Sequence, residues 1–86
     1  MRVPQAYVPR YKNGEEIKAG DFVRVELAGD SVKGRVVVVI DTAAAIEGYI
    51  ANEWTYLGTG VMVKSDEIGL VHFIKTHEEL VLESRT

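Results

Sequence analysis

The residues of this chain that could do chemistry are two histidines, three serines and several adjacent carboxylates. His72 and His77 stand five apart, and with no cysteine in the sequence a metal's other ligands would have to be carboxylates. Glu78 and Glu79 beside His77 leave at most a weak surface cation site, and a solvent-facing or internally satisfied histidine is the simpler reading. Ser31, Ser65 and Ser84 fall in expected turns or near the C-terminus, without the strand–nucleophile–helix elbow that exposes a catalytic serine. The pairs Asp66-Glu67 and Glu78-Glu79 are sequence neighbours on turns, where burial is least able to move a carboxyl pKa toward acid–base work. Gly58-Thr59-Gly60 lacks the lysine and the following helix of a phosphate-binding loop. A non-catalytic protein, with no metal and no organic cofactor, is the expectation.

Recognition of a partner fits the residues better. Tyr49, Trp54 and Tyr56 crowd into eight positions, with Leu57 next to them, and Asp41, Glu47, Glu53, Asp66 and Glu67 surround them in sequence. Large aromatics inside a charged rim are the composition of interface hot spots. Trp54 has a competing reading as the plug of the hydrophobic core, because a lone tryptophan contributes most when buried. Charge points the same way. Residues 1–40 carry a balance of +2 and residues 41–86 a balance of −5, within a net −3. An acidic second half steers toward a basic protein partner. It disfavours nucleic acid, because phosphate binding draws its affinity from clustered Lys and Arg. Arg10, Lys12, Lys18, Arg24, Lys33 and Arg35 lie in the first half, where Tyr7, Tyr11 and Phe22 are their aromatic company.

These side chains must be held by short elements. Pro4 and Pro9 forbid a regular helix or a central strand near the start, so residues 1–14 read as an extended arm ending in an Asn13-Gly14 type I′ turn, with brief pairing across it. Residues 15–86 read as one small β domain. Period-two alternation marks a strand over Phe22–Leu27, with Val23, Val25 and Leu27 on one face. A second strand over Lys33–Asp41 puts Val36, Val38 and Ile40 toward the core and leaves Val37 and Val39 outside, to be covered by the chain or by a partner. Thr42 to Leu57 is a long, partly helical excursion, and loops of that length tend to carry function. Val61–Lys64 and Leu70–Ile74 are paired strands, Thr76–Glu79 a connector of one helical turn, and Leu80–Glu83 a last strand. Five short strands and one long loop define a mainly all-β class, a small barrel or roll.

Ile17-Lys18-Ala19-Gly20-Asp21-Phe22-Val23-Arg24-Val25, followed by Lys33-Gly34-Arg35-Val36-Val37, resembles the opening hairpin of SH3-like barrels. In those folds a Gly-Asp turn starts the first strand and a glycine opens the second. The resemblance covers about 20 residues and implies a five-stranded SH3-like barrel, an architecture that serves RNA, DNA, peptide and protein binding alike. Glu53-Trp54-Thr55-Tyr56-Leu57, with Gly69-Leu70-Val71-His72, is similar to small bacterial proteins of toxin-neutralising immunity type. That similarity implies an inhibitor and carries no residue roles with it.

At 86 residues the chain buries about 60% of its unfolded surface, enough for one core. It is 47% hydrophobic yet has no apolar run long enough to span a membrane. Met1-Arg2-Val3-Pro4-Gln5 is not an apolar leader, and the lack of cysteine favours a cytoplasmic setting. The leading expectation is therefore a bacterial inhibitor or immunity protein whose acidic, aromatic loop face blocks a basic partner such as a toxin domain. Two other readings stand beside it. One is an RNA- or DNA-binding barrel using the basic first half. The other is a self-associating module, a monomer or homodimer paired through Val37 and Val39 or an open sheet edge.

Overall fold

The computed structural model describes residues 8–27 and 29–85, with only the backbone at Leu27. The first seven residues of the expected arm lie outside the described residues. Phe22–Leu27 (β1) pairs antiparallel with the first half of Asp30–Val39 (β2), Phe22 opposite Arg35 and Leu27 opposite Asp30. The second strand thus begins at Asp30 rather than Lys33. Gly29, at φ 79°, lets the ladder run out to Leu27 and Asp30.

Beyond Arg35 the alternation breaks. Ala44–Ala45 (β3) pairs with Val38 and Val39 on the edge of β2 that β1 has vacated, and Val61–Ser65 (β4) runs along the other edge. In the β2–β4 ladder Val36 faces Val63, but Val38 faces Met62 and Val39 faces Val61, a bulge of one residue. A one-residue insertion sends every later side chain to the opposite face. Val36 and Val39 therefore both enter the main core, while Val37, Val38 and Ile40 join Met62 in a second apolar cluster on the other side. This corrects the expectation that Val36, Val38 and Ile40 share the core face. Val37 and Val39 are 2% and 1% exposed, so they offer no surface for pairing a second copy.

The second cluster is buried because the excursion after β2 folds over it. Ala45, Ile46, Tyr49, Trp54 and Leu57 pack against it, held by β3 and by two 3-10 turns at Ala51–Glu53 and Thr55–Leu57. Each large apolar side chain so covered gains about 1.5–3 kcal/mol over exposure. Gly69–Phe73 (β5) pairs with β4, Thr76–Glu79 (α1) is a single turn, and Leu80–Ser84 (β6) returns to pair with β1. The sheet is antiparallel throughout, ordered β5-β4-β2-β1-β6 with β3 beside β2. Among the described residues it has six strands rather than five, because the bulged half of β2 needs β3 to satisfy its free edge. No ladder joins β5 to β6 among the described residues, so the sheet is open.

The main core lies on the other face, where Val23, Val25, Val32, Val63, Phe73 and Leu80 meet Tyr11 and Ile17 from the segment before β1. That segment makes one bridge, Arg10 to Glu16, around Asn13-Gly14. Only Gly14 takes positive φ (91°), with Gly14 N–H bonded to the Tyr11 carbonyl and Tyr11 N–H to the Glu15 carbonyl, each at 2.9 Å. The turn is thus a type I turn closed by a left-handed glycine rather than the expected type I′. The buried Thr76 hydroxyl donates to the Arg10 carbonyl at 2.9 Å, fastening α1 to the same segment.

Candidate functional site

The excursion between Ile40 and Val61 is the largest irregular part of the described chain, and a knot of polar bonds closes its base. Asp41 accepts the Thr59 hydroxyl at 2.5 Å and the Gly60 N–H at 2.7 Å, and Ile40 N–H reaches the Gly60 carbonyl at 2.9 Å. His72 on β5 donates its Nε2–H to the Thr59 carbonyl at 2.7 Å. A carbonyl can only accept, so this bond fixes the proton on Nε2. Gly60 sits at φ 104°, and a Cβ there would run into the Phe73 carbonyl oxygen and the His72 ring. Asp41 and His72 are thus committed to closing the loop.

Above this base the expected site residues divide. Trp54 is neither a plug of the main core nor a free surface ring, because it lies half-buried over the second cluster. Tyr49 packs there too. Ile50 and Tyr56, by contrast, are 62% and 78% exposed, and Glu47 and Glu53 of the same segment are exposed as well. Asp66 and Glu67 are exposed on the β4–β5 turn, where Glu67 N–H is bonded to the Ser65 hydroxyl at 3.2 Å. His77 is exposed and 3.9 Å from Glu78.

A second arrangement, which the sequence concealed, lies beside the excursion on the outer face of the sheet. Phe22, Arg35, Lys64 and Leu70 stand opposite one another on β1, β2, β4 and β5, a transverse row with two cations in its middle. Lys33 is two residues along β2 from Arg35. The Arg35 guanidinium lies 5.0 Å from the centre of the Phe22 ring, and its Nε–H points to the Gly20 carbonyl at 3.4 Å. Phe22, Lys33, Arg35 and Lys64, together with Tyr49 and Asp66, line a groove of about 430 Å³. Alternation along β2 hinted at outward-facing Lys33 and Arg35. Lys64 and Tyr49 could join them only through the register and the fold-back, which no local pattern announces.

The class thus defined is a mainly β domain on a single antiparallel sheet, with a loop-covered second core. Comparison with protein families, with curated proteins and with solved structures finds no match to the chain. Among the described residues no helix is long and apolar enough to cross a membrane, and no three His, Asp or Glu side chains gather as metal ligands would.

Proposed function

We propose that this protein is a non-catalytic binding module of SH3-like type, acting as a bacterial inhibitor or immunity protein that occupies a basic partner such as a toxin domain. The observation that carries the reading is the two-sidedness of the excursion. Its Ile46, Trp54 and Leu57 are anchored over the second cluster, while Ile50 and Tyr56 are displayed to solvent on the same stretch as Glu47 and Glu53. A segment fixed from below loses little conformational freedom on docking, which favours tight association. Its carboxylates supply long-range attraction to a cationic surface.

The SH3-like assignment draws support from the strand course. β1, β2, β4 and β5 form a meander, and β6 returns to β1 after the single helical turn. The acidic rim is smaller than the sequence implies, because Asp41 is engaged with Thr59 and Gly60. Glu47 and Glu53 carry the steering in this reading, with Asp66 and Glu67 set apart on the β4–β5 turn.

The test begins with affinity capture of the native partner in the presence of nuclease. Association kinetics of the purified pair are then compared for the wild type and the Glu47→Lys/Glu53→Lys variant. Charge reversal slows association and weakens binding more than tenfold, with thermal stability unchanged. An association rate that ignores the reversal overturns the acidic-face reading.

A further inference from the structure

We infer that the groove between β1, β2, β4 and the covering excursion is a binding site for single-stranded nucleic acid. Its phosphates would lie on Lys33, Arg35 and Lys64, and a base would lie against Tyr49 and Phe22. This site is separate from the displayed acidic residues of the excursion, and it stands or falls independently of them.

Electrostatics supply the first support. Like charges directly opposite on neighbouring strands destabilise a sheet, yet two such pairs sit side by side here, Arg24 opposite Lys33 and Arg35 opposite Lys64. Arg24 is compensated by Glu26 at 3.9 Å and Glu83 at 3.7 Å. Among the described residues Lys33, Arg35 and Lys64 have no carboxylate within ion-pair distance. A cluster of three uncompensated cations in a concavity is relieved by an anionic ligand.

Aromatic placement supplies the second. Phe22, 39% exposed with the Arg35 guanidinium over its ring, and the half-buried Tyr49 both line the groove, so the same concavity that gathers cations offers ring surface for a base. Basic grooves with stacking platforms are how sequence-tolerant single-strand binders work. The groove's volume of about 430 Å³ matches a small-ligand site and accommodates one nucleotide at a time rather than a duplex. Asp66 at the rim opposes phosphate and gives the site a residue whose removal should tighten binding.

Fluorescence anisotropy of labelled single-stranded DNA and RNA of about 12 nucleotides provides the test, with a duplex and a poly-glutamate peptide as competitors. Three phosphate contacts give a logarithmic salt slope of about −2, so raising salt from about 50 to about 200 mM weakens binding about 16-fold. The Lys33→Gln/Arg35→Gln/Lys64→Gln variant, checked for an unchanged melting temperature, loses at least tenfold. Tyr49→Leu, which keeps the apolar cover, loses at least fivefold, and Asp66→Asn binds more tightly. Arg24→Gln removes the same charge from a compensated cation and changes binding less than twofold. The site is overturned if neither oligonucleotide binds at about 50 mM salt, or if binding survives the triple substitution. It is likewise overturned if the duplex or the acidic peptide competes as well as the unlabelled single strand.

Discussion

Tyr11 donates its phenolic hydroxyl to the Asp21 carboxylate across 2.8 Å, and the two residues are each 2% exposed. The same carboxylate oxygen accepts Lys18 N–H at 3.0 Å. The Asp21 backbone accepts from Val36 N–H at 2.8 Å, and Gly20 N–H reaches the Val36 carbonyl at 2.7 Å. One residue therefore ties the segment before β1 to β2 at the point where the bulge begins. That tie is what seats Tyr11 and Ile17 in the main core instead of leaving them on a free arm.

Tyr11→Phe keeps the ring and strips the carboxylate of a donor, so it costs about 1.5–3 kcal/mol. The bond also leaves a pH signature. Burial first, then the hydrogen bond to Asp21 and its charge, push the Tyr11 hydroxyl well above its ordinary 10.0. The folded state therefore keeps a proton that the unfolded state releases above pH 10. This contribution is fully present below pH 10 and is lost as pH rises beyond it, amounting to about 1.4 kcal/mol by pH 11. Urea titrations at neutral pH and pH 11 should show a smaller alkaline loss in Tyr11→Phe than in the wild type. Equal losses would mean that Tyr11 ionises freely in the folded protein.

Asp41 reads in the sequence as one more member of an acidic rim, and in the structure it is a clasp for Thr59 and Gly60. Asp41→Ala leaves both donors without their charged acceptor and is expected to cost about 2 kcal/mol. Glu53→Ala, exposed on the 3-10 turn, stays within about 0.5 kcal/mol. Urea midpoints compared at constant slope decide between the two roles. Matching small shifts would return Asp41 to the rim.

Sequence patterning located β1, β4, β5 and β6 to within a residue or two, because β1 alternates with one face buried and β4, β5 and β6 are short apolar runs bounded by glycines or polar residues. It failed on β2, where Val36 to Ile40 is a continuous apolar run and carries no phase of its own. The bulge that sorts those side chains between two clusters is set by pairing with Met62 and Val63, and local pattern does not encode a partner's register. The same limit hid the groove. Lys33, Arg35 and Lys64 are ordinary strand cations until the ladders place them together, and Tyr49 reaches them only once the excursion folds back through β3. The aromatic content of that excursion was legible as something exceptional. The division of labour between Trp54 below and Tyr56 above depended on tertiary packing.

Gly60 and Gly14 both have positive φ, 104° and 91°, but only Gly60 has backbone in the path of a Cβ. Gly14→Ala meets open space and costs about 1 kcal/mol of backbone strain. Gly60→Ala must also push aside the Phe73 carbonyl and the His72 ring, which loosens the closure of the excursion as well as the β4–β5 ladder. Its cost is expected to be about 3 kcal/mol or more. By the scaling for a domain of this size that lowers the melting temperature by at least about 12 °C, against about 4–8 °C for Gly14→Ala. Similar shifts for the two variants would show that the collision is absorbed without consequence.

Trp54→Ala tests whether the excursion is a true second layer. The ring is half-buried over Val37, Val38, Ile40 and Met62, so truncation removes cover from side chains that are otherwise almost fully buried. A fully buried tryptophan would cost about 3–5 kcal/mol, and the partial exposure of Trp54 places the expected loss at about 2–3 kcal/mol. Unlike a cavity in the main core, the defect opens to solvent. The variant should therefore bind a hydrophobic dye in its folded state and self-associate at high concentration, through the face that Val37 and Ile40 then present. Hydrogen exchange should quicken at Ile46, whose N–H bonds the Val37 carbonyl at 3.0 Å, while Val25 in β1 stays protected. A Trp54→Ala protein with wild-type stability and no dye binding would show that the excursion lies on the sheet without sealing it, and the displayed Tyr56 and Glu53 would lose their fixed platform.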